Sequence, residues 1–133
     1  MIEWNDQFKL GIATIDDQHK KWIEIMNVLL AGIRLPNKEQ QVLEALYDMV
    51  AYSQFHFAYE ERLLKEHGYT EEPGHLEQHR LFREKIARFK EAALSGNTPL
   101  LSVVLAEMND WLIQHICVED RKYAEFLKSK GVI

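Results

Sequence analysis

With 133 residues, 47% of them hydrophobic and 28% charged, the chain has the size and balance of one globular domain, able to bury roughly two-thirds of its unfolded surface. Its formal net charge of -5, with lysines and arginines interspersed among the acids, excludes the basic patch that a phosphate backbone requires, and no run of about 18 apolar residues is present to span a bilayer. The N-terminus, MIEWNDQFKLGI, lacks the charged-then-apolar order of a secretion signal, so the chain is expected in the cytoplasm.

In chain order, residues 1–15 read as an arm in which Trp4, Phe8, Leu10 and Ile12 pack on the helices. A helix over about 16–34 carries the apolar stripe Trp22, Met26, Leu29, Ile33. After the break at Gly32 to Asn37, where Asn37 and Gln40 form a capping box, a second helix over 38–67 carries Leu46, Met49, Ser53, Phe57 and Leu64. Gly68 caps it, and a third helix over 71–95 comes next with Phe82, Ile86, Phe89 and Ala93. Gly96 ends that one; Thr98 and Pro99 open a fourth over 99–129, with Leu101, Val104, Met108 and Trp111 inward. Short connections between long helices make neighbours antiparallel, so the expected fold is all-α, an up-down-up-down four-helix bundle with an N-terminal arm. Cys117, the only cysteine, can form no intrachain disulfide and reads as core filler.

Extended toward one end of each helix, every stripe runs into histidines and acids. The first reaches His19, the second His56 and Glu60, the third His75 and His79, and the fourth His115, with Asp120 further toward the end of the same helix. Antiparallel packing brings all of them to the same end of the bundle. A lone inward histidine is ordinarily a hydrogen-bonded core residue, but several with a carboxylate in one layer would cost several kcal/mol per buried charge. Metal ions remove that cost. His67, beside Gly68 at a helix C-terminus, reads as a surface residue outside the site.

Five imidazoles and two carboxylates exceed what one ion accepts and suit two. Zinc prefers fewer ligands in tetrahedral sites, and calcium and magnesium prefer oxygens, so the mixture points to two iron or two manganese ions. The paired Glu-x-x-His motifs of ferritin-like bundles are absent.

The stretches Ile15-Asp16-Asp17-Gln18-His19, His56-Phe57-Ala58-Tyr59-Glu60-Glu61, His75-Leu76-Glu77-Gln78-His79 and His115-Ile116-Cys117-Val118-Glu119-Asp120 together resemble the hemerythrin family, most closely its bacterial single-domain members, over essentially all of residues 1–133. The resemblance implies two non-heme iron ions, one held by His75, His79 and His115 and the other by His19 and His56. Glu60 and Asp120 bridge them with an oxo or hydroxo group. These ligands fill all but one position of two octahedral ions. The implied function is reversible dioxygen binding at the ion with two histidines, as carrier, store or supplier to an oxygen-consuming partner enzyme. Alternatives with the same site are a di-iron oxidase or peroxidase, and a sensor of oxygen, nitric oxide or iron. The residues flanking the ligands, Trp22, Phe57, Trp111, Leu112 and Ile116, are apolar or nearly so and form the expected oxygen pocket, which favours binding over catalysis.

One conflict stands between the helix and the resemblance. On a regular helix Glu119, four residues after His115, shares its face, whereas Asp120 is rotated by roughly 140°. A π-type turn there would reconcile Asp120 with the family pattern.

Overall fold

The computed structural model describes residues 2–32, 38–97 and 101–133. Three helical columns are α1 (Ala13–Gly32), α2 (Lys38–His67) and α3 (Glu72–Leu94). The fourth is composite: α4 (Leu101–Trp111), a π-helical segment (Leu112–Asp120) and α5 (Arg121–Ser129). They form the expected antiparallel four-helix bundle, with α2 packed on α1 and α3, and α4 packed on α1. There is no strand among the described residues, and none of their helices is long and apolar enough to cross a membrane. Ile33, Asn37 of the expected capping box, and the Thr98-Pro99 helix start lie outside the described residues, as do the side chains of Leu101 and Leu112.

Helix ends follow local chemistry closely. At Gly68 the backbone turns left-handed, φ +69°, so that the Tyr69 N–H reaches back to the Leu64 carbonyl at 3.1 Å. Gly96 repeats this at φ +83°, with the Asn97 N–H on the Ala92 carbonyl at 2.8 Å. Both satisfy carbonyls that a helix end otherwise leaves orphaned, at a backbone angle that only glycine adopts cheaply. α3 opens with Pro73 in its first turn, where a missing N–H costs nothing.

α1 begins at Ala13, three residues earlier than the sequence suggests. Asp16, which reads as a helix start, works from inside the first turn: its carboxylate accepts the backbone N–H groups of Leu10 at 2.8 Å and Gly11 at 3.1 Å. That contact folds the arm against the bundle, where Phe8, Leu10 and Ile12 are buried and Trp4 partly so. The arm is tied at both ends. Ile2 exchanges two 2.9 Å backbone hydrogen bonds with the Asn27 side chain, and the Arg121 guanidinium donates to the Gln7 carbonyl at 2.7 Å.

The core divides into two apolar clusters. The larger contains Trp22, Met26, Met49, Phe57, Phe82, Ile86 and Met108; the smaller joins the arm to the far ends of the columns through Leu10, Ile12, Ile15, Leu64, Tyr123 and Leu127. Along α1, α2 and the composite column the histidines and acids fall between residues of one cluster and residues of the other, and on α3 they fall between Phe82 and Tyr69, which precedes the helix. Each fully buried large side chain contributes about 1.5–3 kcal/mol, and this burial on both sides offsets the cost of a polar layer between them.

Candidate metal centre

α1 carries His19 into that layer, α2 carries His56 and Glu60, α3 carries His75 and His79, and the π segment carries His115 and Asp120. All seven are buried. Ligand atoms of His75, His79, His115 and Asp120 lie within 4.8 Å of one another, as do those of His19, His56, Glu60 and Asp120. The two sets share Asp120. Its Oδ1 is 3.1 Å from His75 Nε2 and 2.9 Å from His115 Nε2, and its Oδ2 is 3.3 Å from His19 Nε2. Glu60 Oε2 lies 3.1 Å from His56 Nε2, and the Glu60 carboxylate also comes within 3.9 Å of the Nε2 atoms of His75 and His79.

The expected π turn is present and longer than a single inserted residue, running over Leu112–Asp120. Its wider i→i+5 winding sets Asp120, fully buried, on the side of His115. Glu119 turns outward instead, where Lys122 donates to it at 3.2 Å.

Opposite edges of the rings explain what these atoms are prepared to do. The amide oxygen of Gln18 faces His56 Nδ1 at 2.6 Å, that of Gln78 faces His115 Nδ1 at 2.8 Å, and a Glu61 oxygen faces His79 Nδ1 at 3.2 Å. An oxygen acceptor requires the proton on Nδ1, which leaves each neutral Nε2 with an inward lone pair. His79 Nε2 and His115 Nε2 then face each other at 3.1 Å, acceptor against acceptor, and His56 Nε2 faces a carboxylate oxygen. Both ring nitrogens of His19, Nε2 of His75, Oε2 of Glu60 and both oxygens of Asp120 are buried without a hydrogen-bond partner among the described residues. The Asp120 contacts with His19 and His75 are short, yet their directions do not make hydrogen bonds. Lone pairs that crowd together without bonding one another fit cations, and imidazole with carboxylate fits a first-row transition metal.

Electrostatics agree. Burial, the largest influence on Glu60, pushes its pKa upward, as does the Asp120 charge, but His56 and His79 bring it down to about 2. Burial likewise works against ionised Asp120, and His115, His19 and His75 hold it well below the usual carboxylate range. His75 is drawn down by burial and more than restored by Asp120, so its pKa is raised. Two buried carboxylates remain anionic and call for positive charge between the rings.

Gln18, Gln78 and Glu61 join the candidate site at positions that periodicity does not reveal. Each is the immediate chain neighbour of an inward histidine or acid, and each reaches the ring of a facing column. Tyr123, legible only as part of the α5 stripe, donates its hydroxyl to Glu60 Oε1 at 2.7 Å. Burial and then the Asp120 and Glu60 charges push the pKa of that phenol well above its ordinary value. His67 lies apart, with its Nδ1 2.8 Å from the Leu63 carbonyl oxygen of its own helix.

The aromatic residues divide between the two sets. Phe57 stacks on His79 at 3.9 Å and Trp111 on His115 at 4.0 Å, while Trp22 lies edge-on to His56 at 5.8 Å. Trp22, Phe57 and Ile116 are fully buried and Trp111 partly so. A groove of about 810 Å³ between α1 and α2 is lined by Lys21, Glu24, Val28, Asp48 and Tyr52 among others, and by none of the seven buried histidines and acids.

Residues 10–127 match the family model described as the hemerythrin HHE cation binding domain. The chain is 30% identical over 129 residues to a bacteriohemerythrin of Stenotrophomonas maltophilia (strain R551-3), covering 97% of this chain and 83% of that one. It is 30% identical over 129 residues to a bacteriohemerythrin of Clostridium acetobutylicum, at 94% and 100% coverage. Myohemerythrin of Sipunculus nudus is 27% identical over 120 residues, at 90% and 88%. In fold, the crystal structure of wild-type hemerythrin superposes with a TM-score of 0.87 at 23% identity, covering 94% of this chain and 96% of that one. With the family match running over residues 10–127, across all four helical columns, the chain belongs to the hemerythrin family.

Proposed function

We propose that the chain binds dioxygen reversibly at a non-heme di-iron centre. In this reading His75, His79 and His115 would hold one iron and His19 and His56 the other, with Glu60 and Asp120 serving both. The observation that carries it is the pair of buried ligand sets joined at Asp120, in which His19, His75, Glu60 and Asp120 have inward atoms without a hydrogen-bond partner among the described residues. Two iron ions bound there would supply the electrons that reversible dioxygen binding draws on. The protein's part is orientation and exclusion. Gln18, Gln78 and Glu61 fix three rings with Nε2 inward, and Tyr123 steadies Glu60.

A binding role rather than an enzymatic one is supported by the surroundings. O–O cleavage needs a proton source, and the buried Tyr123 hydroxyl is already committed to Glu60. Phe57, Trp111, Ile116 and Trp22 supply apolar walls. Residues 1–133 then serve as one domain that carries, stores or supplies dioxygen in the cytoplasm, with an oxygen-consuming enzyme as recipient.

Metal analysis of protein expressed with iron should return two ions per chain. The spectrum of the reduced protein should change in air and revert when oxygen is removed. One ion, zinc alone, or a colour that forms once and does not revert would refute the reading.

Within the same reading, oxygen arrives on the His19/His56 side and Trp22 closes the pocket there. Trp22→Ala should admit water and accelerate autoxidation while iron content stays nearly unchanged. A purely structural indole predicts instead a loss of about 3–5 kcal/mol of stability with unaltered oxygen-release and oxidation rates. Stopped-flow on the folded variant separates the two.

A further inference from the structure

The three acceptors behind the histidine rings are not equivalent. Gln18 and Gln78 offer neutral amide oxygens to His56 and His115, whereas His79 faces the carboxylate of Glu61. An imidazole that donates its N–H to an anion becomes a stronger electron donor through its other nitrogen, and a metal on that nitrogen is stabilised in its oxidised state. The same Glu61 oxygen lies 3.5 Å from both terminal nitrogens of Arg83. Arg83, partly exposed, also lies over the Phe57 ring at 5.5 Å, and Phe57 stacks on His79 at 3.9 Å with the planes 8° apart. Among the described residues His79 is therefore the one ring in the layer whose Nδ1 faces a carboxylate, and Arg83 opposes that partner's charge.

We propose that Glu61 and Arg83 form a charge pair that sets the oxidation–reduction balance of the centre through the His79 ring, Glu61 favouring the oxidised ions and Arg83 opposing it. This rests on the di-iron reading above. Both are positioning and tuning residues, and neither is placed on the metal. The geometry is suited to tuning because the charge acts along one hydrogen bond, from a side chain that remains partly in contact with solvent. Gln18 and Gln78 hold their rings without adding charge, so the effect is confined to one of the five histidines.

Glu61→Gln keeps an oxygen acceptor for the ring and removes only the charge. At a fixed solution potential its oxidised-to-reduced ratio should fall about tenfold, equivalent to a rise of about 59 mV for a one-electron step. Arg83→Gln leaves the Glu61 charge uncompensated and should move the ratio the other way, by about threefold, because the pair is partly screened by solvent. Opposite signs distinguish tuning from a loosened fold, which would move both variants alike. The measurement is a spectroelectrochemical titration of the iron-loaded wild type and both variants, after metal analysis of each. A wild type that takes up no iron overturns the di-iron reading and this one with it. A wild type with two irons whose potential is unmoved in both variants, or moved in the same direction, overturns the tuning pair alone. Should Glu61→Gln lose its metal, Gln78→Glu places the missing kind of charge behind His115 and should raise the oxidised fraction; no rise overturns the proposal.

Discussion

Asp120→Asn is expected to empty both halves of the centre. Asp120 alone belongs to both buried ligand sets, with oxygens 2.9 Å from His115 Nε2, 3.1 Å from His75 Nε2 and 3.3 Å from His19 Nε2. An amide of the same size gives up the negative charge, offers one oxygen in place of two and aims N–H donors at lone pairs meant for a cation. The loss exceeds the ten- to hundredfold that partners behind the ligands typically contribute, so iron after purification should fall from about two ions per chain to well under one. Glu119→Gln is the matched control, since that side chain faces outward to Lys122, and it should retain iron in full. Metal analysis with circular dichroism to verify folding reads both. Retention in Asp120→Asn together with loss in Glu119→Gln would show that the π segment does not deliver Asp120 to the metal.

The second large effect separates the histidines. His115→Ala removes a ring that faces His79 at 3.1 Å, is held by Gln78 and stacks on Trp111 at 4.0 Å. It leaves His19, His56, Glu60 and Asp120 in place. One ion should therefore be lost preferentially, with affinity in the three-histidine set reduced by at least about a hundredfold. His75→Ala should act on the same set. His67→Ala should keep its iron, with stability within about 0.5 kcal/mol of wild type, because the side-chain hydrogen bond that His67 makes among the described residues is to Leu63 of its own helix. Competition with a chelator gives the order of retention. Equal losses from all three would erase the division between site and surface histidines.

Much of the fold and the site is legible in the sequence, for a physical reason that particular residues make plain. A stripe with helical spacing must face a core, so Trp22 with His19, and Phe82 with His79, declare their direction from their own helix alone. Gly68 and Gly96 declare helix ends because the left-handed turn they adopt is local. Antiparallel order comes from short links, and it brings the polar ends together. Chain-local physics thus determined the all-α bundle, the inward direction of five histidines and Glu60, and the exclusion of His67.

The tertiary structure decided what depends on two columns at once. Whether Glu119 or Asp120 turns inward is a matter of how many residues wind between His115 and the next packing contact, and the π segment answers it only because Tyr123 and Leu127 must also reach the far apolar cluster. That Asp16 anchors the arm from inside α1, rather than opening the helix, depends on where Leu10 and Gly11 return. The choice of Gln18, Gln78 and Glu61 as ring partners rests on the rotation of one helix against another. A residue adjacent in the chain to a ligand points some 100° away from it, and only packing determines whether it meets solvent or a neighbouring ring.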